Sequence, residues 1–213
     1  YTLTVTDANG CTNTATTGVT VNQLPSVAFT GLNSAYCVDA SPATLTGIPS
    51  GGVFSGPGIS GSSFDPGMAG VGTHTITYTY TDGQGCVNTY SETVTVNPLP
   101  VVTLNLSGEI CVNAGLTTLS GGLPAGGTYS GPGVSGGMID PSIAGVGTHF
   151  ITYTYTDGNG CTNSAVDTMI VHPLTSLSFP HPPDICNNAA PYTLTQATPA
   201  GGVYSGPGVS GGQ

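Results

Sequence analysis

The sequence predicts an all-β chain of tandem immunoglobulin-like β-sandwich repeats, each of about 75 residues. Three observations carry this. First, Ser55-Gly56-Pro57-Gly58-Ile59-Ser60-Gly61 returns at residues 130–136 and again at 205–211, each time 75 residues later. Such a fixed period is the signature of a repeat architecture. Second, Val, Ile, Thr and Tyr are plentiful and favour strands, while 34 Gly and 17 Pro break the chain into short segments. Third, no segment shows a helical hydrophobic period, and short strands with frequent turn signals indicate a sandwich.

A second block fixes the phase. Residues 69–74 and 76–83 return at 144–149 and 151–158, and residues 3–11 match 78–86. The chain therefore reads as a partial repeat at 1–22 (last strands), full repeats at 23–97 and 98–172, and a partial repeat at 173–213 (first strands). The junctions Asn22-Gln23-Leu24-Pro25, Asn97-Pro98-Leu99-Pro100 and His172-Pro173-Leu174 share one phase. Proline fixes φ and lacks a donor, so it ends strands and stiffens such linkers.

Within a repeat the clearest strand is 75–81. Ile76, Tyr78 and Tyr80 alternate with Thr, as a half-buried strand requires. Asp82-Gly83-Gln84-Gly85, or Asp157-Gly158-Asn159-Gly160, is hairpin chemistry, because Gly and Asn tolerate positive φ. The return strand is 90–96, or 166–171. Earlier strands are expected at 101–106, 116–119, 127–130 and 138–139. The resulting order has the A, B, C, E, F, G pattern of an immunoglobulin-like or PKD-like domain, without the buried Trp and Cys pair of antibody domains.

The charge excludes several functions. There is no Lys or Arg, against ten Asp plus Glu, a formal charge of −10. Nucleic acid and anionic membranes are bound through Lys and Arg, so neither is an expected partner. Lysine nucleophiles, phosphate clamps and Lys–Asn cross-links are excluded as well. No stretch approaches the 18 apolar residues of a membrane-spanning helix. The opening residues read as a strand, with no signal peptide, as expected of a portion of a longer mature protein.

Six cysteines stand at 11, 37, 86, 111, 161 and 186. Each full repeat has one before its second strand and one just after the F–G turn. A 75-residue sandwich has a thin core, and disulfides are the expected remedy. Pairing within a repeat, Cys37–Cys86 and Cys111–Cys161, is the simplest arrangement and is preferred. Closing such a loop of about 50 residues would contribute about 4 kcal/mol. The A–B and F–G loops of a sandwich lie at opposite poles, however, so head-to-tail stacking leaves Cys37–Cys161 open as an alternative. Cys11 and Cys186 belong to partial repeats, with partners unassigned.

Other candidates read as structural. His74 and His149 recur without a nucleophile or an orienting acid, so no catalytic role is expected. Asp7, Asp82 and Asp157 recur in the F–G turn, and Asp65 and Asp140 precede Pro. All five read as turn caps. One carboxylate per turn is a sparse donor set, so no cofactor is expected; calcium is the one ion left open. Ser-Gly-Pro-Gly lacks the following helix that a phosphate loop needs. Asn105-Leu106-Ser107 is a lone N-glycosylation sequon, and Asp167-Thr168-Met169 has the form of a short O-glycosylation motif.

The Ser-Gly-Pro-Gly-Val-Ser-Gly, Ala-Gly-Val-Gly-Thr-His and Tyr-Thr-Tyr-Thr-Asp-Gly-Asn-Gly-Cys motifs resemble the Ig-like or PKD-like repeats of large surface adhesins and filament proteins of gliding, Bacteroidota-type bacteria. The resemblance covers essentially the whole chain. It implies export by the type IX pathway, an extracellular or cell-surface location and no catalytic residues.

The expected function is thus structural or adhesive: a non-enzymatic stalk or filament at the cell surface, partnered by neighbouring repeats or copies of the same protein and by surface glycans. The alternative is a carbohydrate-binding accessory module of a secreted hydrolase, with Tyr side chains as stacking surfaces. The partial repeats are read as the cut ends of a longer chain; completion of one chain by its neighbour through strand addition is the other reading.

Overall fold

The computed structural model describes residues 1–210, so Gly211, which ends the third Ser-Gly-Pro-Gly phrase, and residues 212–213 of the last partial repeat lie outside the described residues. The chain opens with a lone antiparallel hairpin, β1 (Thr2–Thr6) and β2 (Thr12–Thr16), in register from Thr2↔Thr16 to Thr6↔Thr12. Then follow β3 (Ala28–Thr30), β4 (Ala35–Cys37), β5 (Ala43–Thr44), β6 (Thr46–Ile48), β7 (Val53–Ser55), β8 (Ile59–Ser60) and β9 (Ser63–Phe64). A single helical turn, α1 (Pro66–Ala69), precedes the long strands β10 (Gly72–Thr81) and β11 (Val87–Asn97). The same succession returns as β12 (Thr103–Leu104), β13 (Glu109–Cys111), β14 (Thr117–Thr118), β15 (Gly122–Leu123), β16 (Thr128–Ser130), β17 (Val134–Ser135), β18 (Met138–Ile139), α2 (Pro141–Ala144), β19 (Gly147–Thr156) and β20 (Thr162–His172).

The two copies share one topology. Each has a four-stranded sheet, β4-β11-β10-β7 or β13-β20-β19-β16, and two small sheets, β3-β6 with β5-β9-β8 or β12-β15 with β14-β18-β17. Among the described residues β4–β11 and β13–β20 are the parallel pairs. Those two three-residue strands escape sequence reading because three residues are too few to show alternation. The helical turns were likewise unforeseen. Asp65 caps α1 by accepting from the Met68 N–H at 3.2 Å, and Asp140 caps α2 by accepting from the Ser142 N–H at 2.9 Å. Both are followed by Pro at the first helical position, where its missing donor costs nothing.

The chain divides into two compact units: Tyr1–Val101 with Tyr155–Asn163, and Val102–Thr154 with the described residues from Ser164 onward. The boundary thus falls a few residues past the expected repeat junction, and the tip of the β19–β20 hairpin belongs to the first unit.

The core of the first unit gathers Phe29, Leu45, Phe54, Phe64, Ile76, Tyr78, Val94 and Val96, which come from all three sheets of the repeat. In the second unit Leu119, Ile139, Ile151 and Met169 hold the corresponding places. The alternation on β10 is realised as read: Ile76 and Tyr78 are buried, and Tyr80 packs at the core margin. The buried tyrosine is satisfied. Tyr78 Oη donates to the Pro49 carbonyl at 2.6 Å and accepts from the Gly52 N–H at 2.7 Å; Tyr153 does the same with Pro124 and Gly127. The ring passes so close to the opposite sheet that a Cβ at Gly47 would lie 2.0 Å from its Cζ, which is why glycine stands there.

Residues 173–210 do not form the strands expected of them. Their one ladder contact is the bridge Ser178↔Thr198, and Leu177, Phe179, Ile185 and Val203 are exposed. The segment carries the front half of a repeat without the long hairpin that packs the other two.

Candidate functional site

The groups that set this chain apart are its cysteines, and two local structures position them. The first is the hairpin tip. Asp82 Oδ1 accepts from the N–H of Gln84 at 2.9 Å and of Cys86 at 2.8 Å. The Asp82 N–H donates to the Cys86 carbonyl, and Gly85 closes the turn at φ +82°. This is a type I turn followed by a left-handed glycine. Asp157 builds the same tip before Cys161, and Asp7 before Cys11. No non-glycine residue has positive φ among the described residues, so Asn159 does not use the freedom expected of it. The recurring Asp is therefore a turn-former whose oxygen is directed at backbone amides.

The second local structure is the short parallel strand, β4 or β13. Cys37 ends β4 opposite Asn97, and Cys111 ends β13 opposite His172. The N–H three residues on, of Ala40, Ala114 or Ala189, donates back to the carbonyl of Cys37, Cys111 or Cys186.

These two placements decide the connectivity. Cys37 sits beside the last residue of β11, whereas Cys86 precedes its first. An 11-residue strand spans roughly 33 Å at about 3.3 Å per residue, far beyond the reach of a disulfide. Pairing within a repeat is thereby corrected. The bond formed is Cys37–Cys161, with Cα atoms 5.5 Å apart, joining residues 124 apart in sequence. It links the end of β4 in one repeat to the β19–β20 hairpin tip of the next, within the first compact unit. The return strand just past each tip is held at the same end: Asn88 Nδ2 donates to the Pro25 carbonyl at 2.8 Å, and Asn163 Nδ2 to the Pro100 carbonyl at 3.0 Å. Cys11, Cys86, Cys111 and Cys186 are free thiols, all but Cys86 exposed.

His74 and His149 have structural partners: Nε2 of each lies 2.8 Å from the carbonyl of Gly70 or Gly145, at the end of the helical turn. Among the described residues no group of three or more His, Cys, Asp or Glu comes together as a metal site would need. Tyr78 and Tyr153 are interior, so they offer no stacking face for a sugar. Asn105 of the sequon is exposed, whereas Met169 of the second motif is buried within β20.

Asp167 has a use that sequence reading missed. Its Oδ2 accepts from the Leu106 N–H at 2.9 Å, and Oδ1 from the Thr168 N–H at 2.8 Å. The bond from Leu106, then that from Thr168, holds its carboxyl below the ordinary value of 3.8. A depressed carboxylate stabilises the fold above its unfolded value, and that contribution is lost as pH falls through the folded one. Acid titration of thermal unfolding is therefore expected to show the second repeat losing stability below pH 3.8. Asp167→Asn should be less stable at neutral pH and show a smaller acid loss.

No family model and no curated protein matches the sequence. Among solved structures, a Ca2+-stabilized adhesin that helps an Antarctic bacterium reach out and bind ice is similar at 16% sequence identity and a TM-score of 0.41. The similarity covers 84% of this chain, which spans 59% of the length of that one.

Proposed function

We propose that this chain is part of an extracellular structural and adhesive protein: a stalk or filament of immunoglobulin-like β-sandwich modules, stapled in series and displayed at the cell surface of a Bacteroidota-type bacterium. The observation that supports this reading is the Cys37–Cys161 bond between one repeat and the next. A bond at that position resists separation of neighbouring modules, which is useful in a load-bearing string and serves no purpose in a freely jointed one. Disulfides persist in oxidising, extracellular surroundings. A surface of Thr, Ser, Gly and Asn without Lys or Arg also suits a passive spacer. We assign this chain no enzymatic role, and neighbouring repeats or copies and surface glycans as its partners.

Small-angle scattering of the oxidised chain tests the reading. Modules in series should give an elongated particle whose maximum dimension hardly changes with ionic strength. A compact globular profile would remove the stalk from consideration.

A further inference from the structure

We propose that the first repeat carries a sugar-binding cleft beside β11, lined by Leu32, Asn33, Ser34, Ser91, Glu92 and Thr93, and that this cleft takes a neutral pyranose unit of a surface glycan. The inference rests on the surface-glycan partnership proposed for the stalk and gives it a place.

The cleft follows from the way the chain changes sheets. β3 pairs with β6 in a small sheet and β4 pairs with β11 in the large one, so Leu32, Asn33 and Ser34 cross between the two. The Asn33 N–H donates to Tyr36 Oη at 2.9 Å, which fixes the crossing. β10 takes one edge of β11 along its length. On the other edge β4 reaches only Thr95–Asn97, the last three residues. The chain therefore forks where β4 begins. Ser91–Thr93 on one side of the fork and the crossing segment on the other border a cleft of about 470 Å³. Small-molecule sites measure roughly 300 to 1,000 Å³.

Sugar hydroxyls both donate and accept, and the cleft supplies both counterparts. The Thr95 N–H donates across the edge to the Ser34 carbonyl at 3.0 Å. Backbone groups of a strand alternate with period two, so the N–H groups of Thr93 and Ser91 turn to the same side, into the cleft. Such groups require a partner. The acceptor is Glu92. Its carboxylate accepts from the Tyr90 hydroxyl, and this bond, then its negative charge, holds the phenol above its ordinary value of 10.0. An ionised carboxylate has about four acceptor positions, so one bond leaves it open to more. Tyr90 stands two residues back on the same face of β11. It is 40% exposed, and Phe29 holds its ring at 5.6 Å. The ring gives the C–H surface of a sugar an apolar margin. The chain has no Lys or Arg to neutralise an acidic sugar, and Glu92 would repel one, so the ligand is neutral.

The second repeat has the same backbone fork with the site closed. At the same phase, 75 residues on, Ala165, Val166 and Asp167 replace Tyr90, Ser91 and Glu92. Asp167 turns one oxygen on the Leu106 N–H and the other on the Thr168 N–H, so the donor that Thr93 leaves open is occupied there. Glu109 replaces Ser34 and lies 3.2 Å from His172 Nε2. A requirement of the fold would hold both repeats alike. The groups that make the cleft polar, open and aromatic at its margin are those the fold does without in the second repeat, which therefore serves as an internal control.

The test titrates the isotope-labelled 213-residue chain with methyl α-mannopyranoside, methyl β-glucopyranoside and, as an acidic control, glucuronate, and follows backbone amide shifts. The expected result is saturable shifts at Asn33, Ser34, Ser91, Glu92 and Thr93 with a neutral glycoside in the millimolar range, and none at Val166, Asp167 and Thr168. Glucuronate should bind about tenfold more weakly or not at all. Glu92→Gln, which exchanges charge-assisted bonds for neutral ones, should weaken binding about tenfold while leaving the thermal unfolding curve in place. Tyr90→Ala should do the same, and Tyr90→Phe, which keeps the ring, should retain most of the affinity. No shift with either neutral glycoside, equal shifts in the second repeat, or a Glu92→Gln variant that binds normally would overturn the proposal. An elongated scattering particle without sugar shifts would retire this cleft alone, and sugar shifts on a compact particle would retire the stalk alone.

Discussion

Breaking the Cys37–Cys161 bond is expected to lower the stability of the oxidised chain by roughly 5 kcal/mol. The bond closes a loop of residues 124 apart, and in the chain-entropy account a loop of that size restricts the unfolded ensemble more than any pairing within a repeat would. The effect is large against the 5 to 15 kcal/mol typical of a whole domain, in order of magnitude. Cys37→Ser, Cys161→Ser and mild reduction of the parent chain should give the same shift of the denaturant midpoint, and reduction should add nothing to either variant. Cys86→Ser, which removes a free thiol, should leave the curve in place. A stability loss in Cys86→Ser equal to that in Cys37→Ser would mean that pairing within the repeat had formed after all.

The second large effect lies at Tyr78. The side chain is 1% exposed and packs against Phe54, and its hydroxyl bridges Pro49 and Gly52. Tyr78→Ala removes a buried aromatic side chain and is expected to cost about 3 to 5 kcal/mol. Tyr78→Phe keeps the ring and leaves one part-buried acceptor and one part-buried donor without their partner, for about 1 kcal/mol. Denaturant unfolding monitored on the first repeat checks both. Equal losses in the two variants would show that the hydroxyl bridge, and not the ring, holds the sheets together. Tyr153 makes the same contacts in the second repeat, and its variants should rank in the same order.

Much of this was legible in the residues. Period-two alternation around Ile76, Tyr78 and Tyr80 gave the strand and its buried face. Asp-Gly-x-Gly-Cys gave the tip, because an Asp carboxylate and a left-handed glycine are what that turn uses. The strands β4 and β13 were not legible. They pair through backbone groups along a neighbour some sixty residues later in sequence, and three residues of mixed polarity carry no periodic signal. The role of Asp167 was hidden for the same reason, since its partner Leu106 is 61 residues away.

The sequence alone determined the period, the strand-rich composition, the absence of basic chemistry and the two classes of cysteine in each repeat, because each is a property of local order along the chain. Only the tertiary structure decided which cysteines meet. Whether Cys37 finds Cys86 or Cys161 depends on which end of an 11-residue strand each occupies, and that is set by the parallel register of β4 on β11. A disulfide needs Cα atoms about 6 Å apart, so distance in space, fixed by sheet pairing, overrides nearness in sequence.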